Sequence, residues 1–121
     1  MAQEHEDSIH HLIENVTENM MRRIYEDHDP MSEDEMMDAW CQIQEEEIYC
    51  TVSSTYKGRT RKLVEEYGLM KAISKYYSSS TLPSLQTEEE QDSFYSCLLS
   101  DILHEQCDVT WDSYWAFRES L

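Results

Sequence analysis

Residues 8–28 read SIHHLIENVTENMMRRIYEDH, and the spacing of the apolar residues in this stretch decides the class of fold. Ile9, Leu12, Ile13, Val16, Met20 and Ile24 recur three and four positions apart, which gathers them on one side of an α-helix, whereas a strand would send them to both faces. At about 100° per residue, Asp7, Glu14 and Glu18 fall nearly opposite that stripe. The stretch therefore reads as a helix with one core face and one acidic ridge. Asp29-Pro30 ends it, because a residue preceding proline is pushed out of the α region.

The same logic extends along the chain. Ser32-Glu33-Asp34-Glu35 has the form of a capping box, in which the Ser32 hydroxyl accepts from the Glu35 amide and the Glu35 side chain reaches back. A second helix follows, with Met36, Trp40 and Ile43 inward and Asp34, Asp38 and Glu45 on the far side. Its pattern breaks at Glu45-Glu46-Glu47, where Glu47 falls on the Met36 face while Ile48 and Val52 point elsewhere. Residues 48–56 accordingly read either as a continued helix turning a new face or as a short β-like strand. Lys57-Gly58 reads as a turn and 59–77 as a third helix, interrupted by Gly68, with Leu63, Tyr67, Met70 and Tyr77 at core spacing. Ser78, Ser79, Ser80, Thr81 and Pro83 read as a linker.

Thr87-Glu88-Glu89-Glu90 repeats the capping box and opens a fourth helix whose Tyr95, Leu98, Leu99, Ile102 and Leu103 should be buried. After Thr110 comes a short helix dense in rings: Trp111, Tyr114, Trp115 and Phe117. The expectation is an all-α fold, a single acidic helical domain over 1–121 with four to five helices. A content of 40% apolar and 11% aromatic residues is too rich for a disordered acidic tail, and 2 Gly with 2 Pro are too few for a turn-dense β fold.

No apolar run approaches the roughly 18 residues of a membrane span. Residues 1–7 are acidic where a secretory signal would be basic and then apolar. The expected location is the cytoplasm, or the host cytoplasm for a viral protein. Cys41, Cys50, Cys97 and Cys107 are then expected as thiols. With no Cys-x-x-Cys pair among them, they read as small buried residues. His10 and His11 with Asp7 and Glu14, and Asp101 with His104, carry ligand-type side chains at helical spacing, but carboxylate-bundle metal sites repeat Glu-x-x-His elements from several helices, which this chain lacks. No cofactor or metal is expected. No glycine-rich phosphate loop or nucleophile elbow is present, and the reading is of a protein that is not an enzyme.

Charge is the dominant feature. The net charge of −17 lies well beyond the magnitude of roughly 2 to 8 that solubility asks of a small domain. It is also segregated: residues 1–56 hold 15 acids and 2 bases, 57–77 hold 2 acids and 6 bases, and 78–121 hold 9 acids and 1 base. Such a surface repels nucleic acid and anionic membranes and attracts basic protein. The faint helix-turn-helix look of residues 63–73, with Lys57, Arg59, Arg61, Lys62, Lys71 and Lys75 nearby, offers a DNA-binding regulator as one alternative. Internal neutralisation of the acid ridges is the stronger use for those bases.

The functional expectation is an acidic inhibitor that imitates nucleic-acid phosphates and occupies the basic cleft of a DNA- or RNA-binding protein, such as a restriction or CRISPR effector. Acidic helical inhibitors of those enzymes from phages and plasmids share this general composition, which is an analogy of composition alone. Asp7, Glu14, Glu18, Asp34, Asp38 and Glu45 are the first candidates for partner contact, and Glu88, Glu89, Glu90 and Asp92 the second. The other alternative is an acidic helical adaptor or complex subunit anchored by Trp111, Trp115 and Phe117, since aromatic side chains dominate interface hot spots. The expected partner is a basic nucleic-acid-binding protein, with no direct nucleic acid and no membrane contact; a homodimer is left open.

Overall fold

The computed structural model describes residues 8–76 and 87–121, so Asp7, Tyr77 and the linker at 78–83 lie outside the described residues. Six α-helices and no strand occur among the residues described: α1 (Ile9–Arg23), α2 (Glu33–Ser54), α3 (Lys57–Tyr67), α4 (Leu69–Tyr76), α5 (Glu88–Gln106) and α6 (Trp111–Glu119). α5 lies against α2, α3 and α4, while α1 lies against α2, α3 and α6. The fold is all-α.

α1 starts where Ser8 Oγ accepts the His11 amide at 3.0 Å, satisfying one of the backbone donors that an α-helix leaves unpaired at its start. It buries Ile9, Leu12, Val16 and Met20, and Ile24 continues the stripe. The expected helical stretch to 28 is present, but its last turn, Ile24–His28, widens into a π-helix closed by the Asp29 amide on the Ile24 carbonyl at 3.0 Å. Asp29 then takes the left-handed region with φ 41°, a conformation that Asp tolerates better than most residues. Arg118 from α6 holds the Asp29 carboxylate at 2.7 Å.

α2 resolves the ambiguity at 48–56 in favour of helix, which runs unbroken to Ser54; the strand alternative is wrong. The reason lies across the interface with α1. Glu47 occupies the position that would continue the Met36, Ala39, Ile43 stripe, and Arg23 of α1 meets it at 3.1 Å and Glu46 at 2.6 Å. With those charges answered, the helix passes through the acidic triplet and its buried face rotates to Ile48. At the far end the Thr55 hydroxyl donates back to the Thr51 carbonyl at 2.7 Å, satisfying an acceptor the ending helix would otherwise leave open. At its start Ser32 caps the Glu35 amide at 3.2 Å, and the Glu35 carboxylate reaches one residue past the cap to the Met31 amide at 2.8 Å.

The single helix expected over 59–77 is two, and it starts at Lys57 rather than after a turn. Gly68 separates them with φ 120°, outside the range of L side chains, and redirects the chain so that Ala72 enters the core. Met70, expected inside, is 71% exposed for the same reason. α5 supplies the centre of the core with Phe94, Leu98, Leu99, Ile102 and Leu103; Tyr95 is half-buried, its ring under the Arg61 guanidinium at 5.2 Å. Trp40 is likewise half-buried and packs against the core edge. α6 opens with a reciprocal capping box between Thr110 and Ser113 and buries Tyr114.

The cysteines depart from expectation in one respect. All four are free thiols, but Cys41, Cys50 and Cys97 are exposed and only Cys107 is buried. An exposed face of a long helix tolerates Cys as readily as a core does. Burial pushes the Cys107 thiol up to about 11, and its sulfur donates to the Ile13 carbonyl at 3.7 Å.

Two outcomes are expected. Leu98→Ala, which empties a fully enclosed site, should lower stability by about 2–5 kcal/mol, read from the urea midpoint. A thiol reagent at pH 8 should titrate Cys41, Cys50 and Cys97 rapidly in the native protein and Cys107 only on unfolding, since a thiol at about 11 is almost wholly protonated there.

Candidate protein-binding surface

The candidate acids sit on three helices, and the fold sorts them into separate settings. Glu14 and Glu18 project from α1 beside α6, with Glu18 joined to Arg22 at 3.2 Å one turn on. Asp34, Asp38 and Glu45 are exposed on α2. Asp38 shares with Glu35, His28, Pro30, Ala39 and Gln42 a shallow depression of about 360 Å³ beside the π turn. Glu45 lies farther along, with its carboxylate 3.9 Å from His104 Nε2. Glu88, Glu89 and Glu90 are exposed in the first turn of α5, where they complement the positive end of the helix dipole.

Asp92 is different. Its side chain is 13% exposed and accepts from Arg61 Nε at 3.0 Å, with Lys57 Nζ at 3.7 Å. It tethers α3 to α5 and does not stand with the outward acids. The hydrogen bond that Arg61 donates to Asp92 raises the Arg61 pKa above its ordinary value.

The bases explain the pattern. Arg23 joins Glu46 and Glu47, and its hydrogen bond holds the Glu46 carboxyl below the usual range. Lys75 of α4 pairs with Glu105 of α5, and Lys71 places its ammonium 4.5 Å from the centre of the Tyr67 ring. Lys57, Arg61 and Lys75 are therefore turned toward α5 and Lys71 lies over Tyr67, which leaves fewer cations for the phosphate contacts a helix-turn-helix would need. Exposed Glu14, Asp34, Asp38, Glu88, Glu89 and Glu90 have no ion-pair partner among the described residues.

The aromatic residues of α6 are also engaged. Trp111 meets Trp115 edge-on with ring centres 5.6 Å apart and stacks near Tyr114 at 5.9 Å. Arg118 lies 4.9 Å from the Trp115 ring centre and 5.1 Å from that of Tyr25, and Arg22 lies 5.6 Å from the Phe117 ring. These contacts fasten α6 onto α1 and the π turn, so Trp111, Trp115 and Phe117 serve the fold before they can serve an interface.

Sequence reasoning missed a groove of about 770 Å³ between α1 and α6, lined by Ile13, Thr17, Met21, Ala116 and Phe117 with Glu14, Glu18 and Asp108 among its polar residues. The local signal was present: Ile13, Thr17 and Met21 form a second row at four-residue spacing beside the main stripe. What covers or leaves open that row is decided by where α6 docks. Among the described residues no three His, Cys, Asp or Glu side chains come together in a way that could hold a metal ion. No described helix is long and apolar enough to cross a membrane. Comparison with protein-family models, curated proteins and solved structures finds no match for the chain.

The two kinds of carboxylate should separate on substitution. Asp92→Asn, which weakens the tether to Arg61 and Lys57, should cost about 1–3 kcal/mol of stability in urea titration. Glu88→Gln, Glu89→Gln and Glu90→Gln should each stay within about 0.5 kcal/mol of wild type. The melting temperature of the wild type should rise on going to moderate salt, because a Debye length of about 8 Å at physiological ionic strength screens repulsion among outward acids.

Proposed function

We propose that this protein is a non-catalytic inhibitor whose outward carboxylates occupy the basic cleft of a nucleic-acid-binding protein in the cytoplasm, standing in for phosphates. One observation carries the reading: most of the bases are drawn into contacts within the fold, through Arg23, Arg61, Lys57, Lys75 and Arg118, while Glu14, Asp34, Asp38, Glu89 and Glu90 are exposed with no ion-pair partner among the described residues. An ordinary solvated surface intersperses the two signs. Here cations stabilise the helix packing, and the surface keeps a strong field of one sign.

The chemistry is suited to that role. Carboxylates one helical turn apart lie about 6 Å from one another along the axis, a scale comparable to the charge spacing of a nucleic-acid strand. Mounted on packed helices, Glu14 with Glu18 and Asp34 with Asp38 have their backbone positions fixed before binding, so only side-chain freedom is lost on contact. The surrounding negative field accelerates encounter with a basic cleft. A restriction or CRISPR effector has such a cleft and is the kind of target proposed.

The test starts with affinity capture of the partner from the protein's own host. Duplex DNA or RNA added to the purified pair should release the inhibitor, and the combined change Glu14→Lys, Asp34→Lys, Asp38→Lys should abolish binding while leaving the far-ultraviolet dichroism unchanged. A partner that holds this protein and its nucleic acid at once, neither weakening the other, would show the proposal to be wrong.

A further inference from the structure

We infer that the groove between α1 and α6 is the docking site for a basic amphipathic helix of the partner, which sets an apolar side chain on the groove floor and lysines or arginines against its rim. The inference rests on the proposed function and adds to it a definite place of contact. Ile13, Thr17 and Met21 form one wall, and Ala116 with Phe117 the other. From 13 to 21 along α1 the wall runs about 12 Å, a little over two turns of a docked helix. The space between the two walls, about 770 Å³, is a broad depression open to solvent.

The rim identifies the occupant. Glu14, Glu18 and Asp108 line the groove with Arg22, which pairs with Glu18 at 3.2 Å and lies over the Phe117 ring, so Glu14 and Asp108 are the acids there with no ion-pair partner among the described residues. Ile13, Met21, Ala116 and Phe117, lining the same groove as Glu14, Glu18 and Asp108, match a helix with apolar residues on one face and cations flanking them. Nucleic acid and anionic lipid are repelled by the rim. A second copy of this chain brings a net charge of −17 of its own, and its Lys57, Arg61 and Lys75 are tied to α5. The groove thus supplies what a field of carboxylates lacks: contacts that salt does not screen and that distinguish one basic partner from another.

Two synthetic helical peptides of equal charge test this, one built from Leu and Lys and the other with its Leu face replaced by Gln, their affinities read by calorimetry. The Leu/Lys peptide should bind about tenfold more tightly or better, the margin expected of one well-buried apolar side chain, and should keep that margin as salt rises. Ala116→Trp, which fills the groove from an exposed position, should erase the margin without altering the Gln/Lys peptide. Glu89→Lys with Glu90→Lys, far from the groove in the chain, should leave the margin intact. Equal affinity of the two peptides, or a margin that survives Ala116→Trp, overturns the groove while leaving the carboxylate reading standing. Failure of both peptides to bind removes both. A dimer in light scattering that Ala116→Trp converts to monomer assigns the groove to a second copy and overturns the inference.

Discussion

Arg23 stands at the end of α1, where the helix gives way to the π turn, and its guanidinium reaches Glu46 at 2.6 Å and Glu47 at 3.1 Å on α2. Three consecutive glutamates in the middle of a helix repel one another, and one of them falls on the buried face. Without a cation from outside the helix, that segment would be a weak point in the longest element of the fold. With Arg23 in place, α2 continues for another two turns, Ile48 reaches the core, and α1 and α2 are fixed in register. The guanidinium is suited to this because its planar fork serves two carboxylates at once, which a lysine ammonium does with less geometric definition.

The same device recurs where other helices meet. Asp92 takes Arg61 and Lys57 to fasten α5 to α3, Glu105 takes Lys75 to fasten it to α4, and Asp29 takes Arg118 to fasten the π turn to α6. Asp92 is largely enclosed, while the more exposed Lys75–Glu105 and Arg118–Asp29 pairs contribute little each. Their common effect is on distribution: the positive charges are drawn to the seams between helices and the remaining acids are left on outward faces. Architecture and surface field are thus two results of one arrangement, and a change that frees a base from a seam would disturb both.

α6 shows how packing makes a binding surface as a by-product. Trp111, Tyr114 and Trp115 pack as a ring cluster against the core, and Arg118 bridges the rings of Trp115 and Tyr25 on its way to Asp29. These contacts hold one end and one side of the helix down. Phe117 and Ala116 on its other side are left facing Ile13, Thr17 and Met21 across a gap. The aromatic residues that the sequence offers as interface anchors act chiefly as the fasteners that set the width of the groove.

What the sequence determined by itself is whatever acts within about one helical turn. The apolar stripes of α1 and α5, the caps at Ser32, Thr87 and Thr110, and the stop at Asp29-Pro30 depend on residues three or four apart, so the class of fold and most of the core were legible. The outward position of Glu14, Asp34, Asp38 and Glu45 followed from the same angular count. Tertiary structure decided the rest. Glu46 and Glu47 find Arg23 across 23 and 24 positions, Asp92 finds Arg61 across 31, and no local pattern announces those partners. The helical state of 48–54, the enclosure of Asp92 and the exposure of Met70 beyond Gly68 all turn on such distant pairings or on a chain redirection at one residue. The groove between α1 and α6 belongs to neither helix alone, because a gap is defined only once both walls are in place.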